Sequence, residues 1–70
     1  MIPENVSKAD IDDLIEQWII GKNAERNRDI LRRRLFDGIR YELLADEFQM
    51  SERQIKNIVY KGERIIFSHL

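Results

Sequence analysis

The sequence predicts an all-α domain of four short helices, and three observations support this. Apolar residues recur at intervals of three and four along most of the chain, the period of an amphipathic helix. No stretch alternates apolar and polar residues for long enough to predict a strand, and threonine is absent. Capping residues and glycines divide the apolar periods into four segments. With 70 residues and no linker-like stretch, we expect a single domain over 1–70.

The first segment predicts an acidic amphipathic helix over residues 7–20 that stops at Gly21, so that 7–21 forms an N-terminal unit. The letters SKAD at 7–10 have the spacing of a capping box, with Ser7 as N-cap. The apolar residues follow the order i, i+3, i+4, i+7, i+8 and are Ile11, Leu14, Ile15, Trp18 and Ile19. Because Trp18 belongs to this stripe, we expect it to be buried against the remaining helices.

Residues 23–67 predict a trihelical unit. Its first helix spans 24–37, with Asn23 as N-cap and Gly38 beyond the end. A short helix over 41–48 and the connection QM come next, and Ser51 then caps a helix over 51–67 in a capping box with Gln54. On a helical wheel the apolar side of this last helix holds Ile55, Ile58, Val59, Gly62, Ile65 and Ile66. The opposite side holds Arg53, Asn57, Tyr60 and Arg64, with Lys56 and Lys61 at the edges.

A short helix, a connection of about three residues and a capped longer helix form the helix-turn-helix pattern. The stretch DGIRYELLADEFQMSERQIKNIVYKGERII resembles region four of the RNA polymerase sigma factors and the related response-regulator DNA-binding domains. The positions that match the family motif are Gly38, Ile39, Leu44, Ala45, Ser51, Ile55 and Lys56. Three positions depart from it: Arg40 replaces a Ser or Thr cap, Leu43 replaces an acid, and Gly62 replaces a small residue that is normally Ala. The resemblance covers about residues 24–66.

This resemblance implies a sequence-specific DNA-binding transcriptional regulator whose recognition helix, 51–64, enters the major groove. From the chemistry of their side chains, the base-side candidates are Arg53, Gln54, Lys56 and Asn57. Tyr60, Lys61 and Arg64 are candidates for contacts with the DNA backbone, and Arg33 and Arg40 for phosphates that flank the site. The family also implies a contact with RNA polymerase. A chain of this length has no room for the second domain that a complete sigma factor needs.

The composition excludes several other classes of function. The absence of cysteine excludes disulfides and thiolate metal sites, and a single histidine makes a zinc site improbable. No nucleophile has a base partner and no carboxylate pair stands apart from the solvated acids, so we expect neither an enzyme nor a cofactor. The net charge is −1, yet residues 1–20 carry five acids against one lysine, which leaves residues 21–70 with a balance of +3. A basic surface is therefore allowed, but only a small one.

The remaining predictions concern location and partners. No signal peptide and no long apolar run is present, so we expect a cytoplasmic protein that does not bind membranes. Ile20 and Phe67 fall on polar sides of their helices, and as exposed apolar residues they are candidates for a homodimer contact. The alternative function is a protein-interaction module, either a helical adaptor or an antitoxin-like partner, that keeps the helical shape without reading DNA. The acidic first helix favours this alternative.

Overall fold

The four predicted helices are present in the computed structural model, which describes residues 5–70. In chain order they are α1 (Lys8–Trp18), α2 (Ala24–Leu35), α3 (Tyr41–Phe48) and α4 (Glu52–Phe67). The described part of the chain contains no strand, so the predicted all-helical fold is confirmed. The predicted helix ends differ from the observed ones by two residues at most. Residues 1–4 of the predicted domain lie outside the described residues.

Both predicted capping boxes are confirmed. The Ser7 hydroxyl accepts from the Asp10 backbone N–H at 3.2 Å, and the Asp10 carboxylate accepts from the Ser7 N–H at 3.4 Å. The Ser51 hydroxyl accepts from the Gln54 N–H at 3.1 Å, and Gln54 Oε1 accepts from the Ser51 N–H at 3.0 Å. Each box satisfies two backbone donors that the first turn of a helix would otherwise leave unpaired.

Asn23 does not cap α2 in the predicted way. It directly precedes the helix, but its backbone is left-handed, with φ 63° and ψ 22°, and its side chain makes no capping hydrogen bond. An N-cap side chain reaches the first turn from an extended backbone. The α1–α2 loop turns through left-handed conformations at Gly21 and Asn23, and this turn directs the Asn23 side chain elsewhere.

The core lies where α4 crosses the other three helices, all of which contact it. Its fully buried side chains are Ile11, Ile15, Ile30, Leu31, Leu44, Ile55, Val59 and Ile66. At Gly62, which is buried, α4 approaches α2 so closely that a Cβ would lie 2.6 Å from the Cδ1 of Leu31. The absence of a side chain at Gly62 therefore allows α2 and α4 to pack closely.

Ion pairs attach α1 to α2 alongside its buried isoleucines. Arg32 donates to Asp12 and to Glu16, each at 2.6 Å. Arg28 donates to the Glu16 backbone carbonyl at 3.1 Å and lies 3.7 Å from the Glu16 carboxylate. These hydrogen bonds raise the pKa of Arg32, the bond to Glu16 contributing most. Two of the four acidic residues of α1, Asp12 and Glu16, are thus paired with arginines of α2.

Two predictions about exposed and buried residues are wrong. Trp18 is not in the core: it is 42% exposed, and its ring stacks on His69 with 3.8 Å between ring centroids. Helix α1 ends at Trp18, and the extended backbone of Ile19 turns that residue into the core instead. Phe67 is only half-exposed, because its ring packs against the core from the edge of α4. Ile20 is 69% exposed, as predicted.

No helix within residues 5–70 combines the length and the apolar character that crossing a membrane requires.

Candidate nucleic-acid interface

The connection between α3 and α4 fixes where α4 begins. After Phe48 the chain turns at Gln49, whose backbone is left-handed with φ 54° and ψ 49°. The Met50 N–H then donates to the Ala45 carbonyl at 2.9 Å, which closes the end of α3. Ser51 follows at once as the N-cap of α4. A three-residue connection, hydrogen-bonded at both ends, therefore holds α4 in place against α3.

The outer side of α4 presents a polar stripe, and we call it the α4 face. It consists of Arg53, Asn57, Tyr60 and Arg64, all exposed. Ile55, Val59, Gly62 and Ile66 occupy the opposite, buried side. The structure thus brings together the four residues that the wheel predicted for this side. Neither arginine forms an ion pair with any residue of 5–70, so the face carries positive charge that the domain leaves uncompensated.

An aromatic cluster around Tyr41 supports one edge of the α4 face. The Arg34 guanidinium lies 4.3 Å and the Lys56 ammonium 5.6 Å from the centre of the Tyr41 ring. The Tyr60 ring meets Tyr41 edge-on, with 6.1 Å between centroids. Such contacts between cations and rings, and between two rings, each stabilise a fixed arrangement of side chains. Lys56 is therefore half-buried beside Tyr41 rather than extended into solvent.

Burial raises the pKa of the Tyr41 phenol above its ordinary value of 10.0, against the lowering effect of the nearby Arg34 charge. Tyr41 was not among the site residues predicted from sequence. Its contact with Tyr60 depends on how α3 crosses α4, and the helical periods of the two segments do not specify that crossing. An aromatic residue at the first position of α3 was the one available signal.

Two other predicted site residues are engaged elsewhere. Arg33 donates to Glu47 of α3 at 2.6 Å and lies 3.8 Å from Asp37. The hydrogen bond to Glu47 is the main cause of its raised pKa. Gln54 holds the N-cap of α4, so its amide oxygen is already used. For both residues a contact with DNA stays a prediction: Arg33 would have to leave Glu47, whereas Gln54 could use only its amide NH2 group while it caps α4.

Arg40 lies at the N-cap of α3. Its side chain is 80% exposed and makes no capping hydrogen bond, with Glu42 as its nearest acid at 3.6 Å. An exposed pair at this distance contributes little to stability and leaves the guanidinium accessible. Arg40 therefore lies beside the N-terminus of α3, where an anion would be favoured, and its contact with a phosphate stays a prediction.

On its other edge the α4 face borders a cavity of about 310 Å³, which we call the Trp18 groove. It lies between the end of α1, the α1–α2 loop and α4. The apolar residues that line it are Trp18, Ile19, Ile20, Ile58 and Ile65, and the polar ones are Lys22, Asn27, Asn57 and Lys61. Asn57 and Lys61 thus belong both to the groove and to the residues predicted to contact DNA. The groove was not predictable from the sequence, because it is formed by a loop whose path the helical periods do not determine.

Within residues 5–70, no three histidine or acidic side chains are grouped so that they could hold a metal ion. The chemistry available at the α4 face is therefore that of arginine, lysine, asparagine and tyrosine side chains. These groups donate hydrogen bonds, stack and carry positive charge, which are the properties used to bind phosphates and base edges.

Comparisons of the chain with protein-family models, with curated proteins and with solved structures gave no significant match.

Proposed function

We propose that this chain is a sequence-specific DNA-binding transcriptional regulator of sigma region-four type, with α4 as the helix that enters the major groove. The observation that supports this most strongly is the α4 face. Its polar side chains project from a capped helix held by a short connection to α3, and two of them are arginines that form no ion pair within residues 5–70. A helix held in this way can place its N-terminal half in the major groove of DNA, which is about as wide as an α-helix.

The contacts divide into two classes along the helix. Arg53 and Asn57 lie in the first half of α4 and read bases, because a guanidinium matches guanine O6 and N7 and a carboxamide matches adenine N6 and N7. Lys61 and Arg64 lie in the second half, where the helix leaves the groove, and neutralise phosphates. Tyr60, supported edge-on by Tyr41, donates its hydroxyl to the backbone. Arg40 adds a phosphate contact beside α3.

The internal ion pairs of α1 weaken the alternative predicted from sequence. That alternative, a helical adaptor or antitoxin-like partner, rested on the acidic charge of the first helix. Asp12 and Glu16 instead pair with Arg28 and Arg32 of α2, so much of this charge serves to attach α1. The cations of α4 have no such partner within residues 5–70. A contact with RNA polymerase is part of the proposed regulator type and follows from the resemblance alone.

The test is a binding titration of fluorescently labelled DNA, first with a random duplex and then with a site selected from a random library. Replacing Arg53 or Asn57 by alanine should cost about 1–3 kcal/mol on the selected site and little on random duplex. Replacing Lys61 by alanine should weaken binding to both duplexes equally. The matched controls are Arg26→Ala on α2 and Lys8→Ala on α1. Each removes one positive charge, as Arg53→Ala and Lys61→Ala do, but at a position outside the α4 face.

These five positions, three on α4 and two controls, lie outside the fully buried core, so none of the changes should alter the fold, and circular dichroism verifies this. Two results would contradict the proposal: no duplex binding at low salt, or equal losses from the α4 variants and their controls. Either result would make the adaptor the leading function.

A further inference from the structure

The Trp18 groove exposes apolar surface that residues 5–70 leave partly uncovered, although the Trp18 ring stacks on His69. Ile20 is 69% exposed and Trp18 is 42% exposed, the former more than any other large hydrophobic residue among those described. Ile58 and Ile65 of α4 are only partly buried along the same cavity. Exposed apolar residues scattered singly are ordinary, but residues that line one concave surface indicate a binding site.

The charge at the groove is of one sign. Lys22 and Lys61 line it, and within the part of the chain from residue 5 onward no acidic residue does. Neither lysine forms an ion pair in that part of the chain. Asn27 and Asn57 add amide groups that can donate hydrogen bonds. Charge complementarity therefore favours an occupant that is apolar on one side and acidic beside it.

The wall formed by α4 also favours a helix as the occupant. Backbone groups in the middle of a helix are hydrogen-bonded within it, so this wall offers no free donors or acceptors to an extended partner strand. A helical segment satisfies its own backbone and needs only side-chain contacts. Ile58 and Ile65 are two turns apart, about 10 Å along α4, which is the spacing of i and i+7 side chains on a helix laid alongside.

We propose that the Trp18 groove is a docking site for an acidic amphipathic helix of a partner protein. The apolar side of that helix packs on Ile20, Ile58 and Ile65, and its Asp or Glu side chains pair with Lys22 and Lys61. Asn57 and Lys61 are also among the residues proposed to contact DNA. The partner helix and DNA therefore compete for these two side chains. This competition rests on the proposed function, whereas the docking does not.

Direct binding is measured by the fluorescence of Trp18, which is the single tryptophan of the chain and lines the groove. The probe is a synthetic helical peptide of about 15 residues without aromatic residues, with Leu at i, i+3, i+4 and i+7 and Glu beside them. Titration should shift the Trp18 emission to shorter wavelength. Ile20→Ser and Lys22→Glu should each weaken binding about tenfold or more, since each removes one of the two complementary features.

The matched control for Ile20→Ser is Leu43→Ser, because Leu43 is 53% exposed but lies on α3 outside the groove. Leu43→Ser should bind the peptide as the parent does, and a peptide with Lys in place of Glu should not bind. The docking proposal is overturned by an unshifted emission, by equal binding of the two peptides, or by equal effects of Ile20→Ser and Leu43→Ser. It is also overturned if sedimentation shows a dimer that Ile20→Ser converts to monomer, since a second copy would then fill the groove.

A second arm separates docking from DNA binding. The peptide should displace labelled duplex from the parent chain and not from the Lys22→Glu variant, which keeps every proposed DNA contact. If the peptide binds but duplex binding is absent, the proposed function fails and the docking site stands. If the peptide binds and leaves duplex affinity unchanged, the competition is wrong.

Discussion

At Gly62, α4 comes so close to α2 that a Cβ would lie 2.6 Å and 2.7 Å from the two Cδ atoms of Leu31. Leu31 is fully buried and has little room to move away. Gly62→Ala should therefore destabilise the fold by overpacking, which typically costs about 1–3 kcal/mol. This exceeds the roughly 1 kcal/mol that alanine gains over glycine inside a helix. Urea unfolding followed by circular dichroism measures the difference.

The control for this prediction is the same substitution in a Leu31→Ala background. There the clash is gone and part of the cavity is filled, so Gly62→Ala should raise the free energy of unfolding instead of lowering it. The two substitutions would then be strongly non-additive, as expected for residues in contact. Stabilisation by Gly62→Ala in the parent chain would show that the backbone moves to accommodate the methyl group.

Trp18 and Ile19 show where helical periodicity stops being informative. Both fit the apolar stripe of α1, and the period alone assigns both to the core. The helix ends at Trp18, and the backbone of Ile19 is extended, with φ −90° and ψ 90°, so the helical period no longer determines where the side chain of Ile19 points. Ile19 is buried and Trp18 is not. The orientation of side chains at a helix end depends on the loop that comes next, and tertiary packing determines the path of that loop.

At the scale of the elements, structure that depends on residues close in the sequence could be predicted, and contacts between separate helices could not. The caps at Ser7 and Ser51 involve residues three positions apart, so their spacing in the sequence was sufficient. The α4 face follows from one helical period, and it too was predictable. The Tyr41 cluster and the Trp18 groove join residues from separate helices, and no local pattern encodes how those helices cross.

The Tyr41 cluster, at the junction of α2, α3 and α4, leads to a prediction about pH. Burial raises the pKa of Tyr41 in the folded state above the ordinary 10.0. The folded state therefore holds the phenolic proton more tightly than the unfolded state. The resulting stability is fully present below about pH 10 and is lost as the pH rises through the folded-state pKa.

The measurement compares the parent with Tyr41→Phe by urea unfolding at a series of pH values. Phenylalanine keeps the ring beneath Arg34 and beside Tyr60 but has no proton to lose. The parent should lose stability relative to the variant above about pH 10, and the difference should be constant at lower pH. A difference that does not change with pH would show that the phenol is as well solvated in the fold as in the unfolded chain.

For the molecule as a whole, the arrangement of charge matters more than its sum. The net charge is −1, which by itself speaks against a nucleic-acid-binding protein. Arg28, Arg32 and Arg33 are paired with acids of α1 and α3. The cations without an ion pair within residues 5–70 include Arg53, Lys56, Lys61 and Arg64 of α4, and also Lys8, Lys22, Arg26 and Arg34 on other parts of the fold. If α4 is the recognition helix, as proposed, the electrostatic footprint of the chain on DNA should be confined to α4 and Arg40.

This confinement predicts the salt dependence of duplex binding. Between two and four phosphates can be neutralised by Lys56, Lys61, Arg64 and Arg40, so a plot of log binding constant against log salt should have a slope of roughly −2 to −4. Anisotropy titrations of labelled duplex between about 50 and 200 mM salt measure it.

Lys61→Ala should flatten the slope by about one, and Lys8→Ala should leave it unchanged. A slope of about −6 or steeper would mean that further cations also reach the phosphates. Arg28 and Arg32 of α2 can do so only if their bonds to Asp12 and Glu16 of α1 break. A slope within the expected range therefore fits binding in which these ion pairs between α1 and α2 are kept.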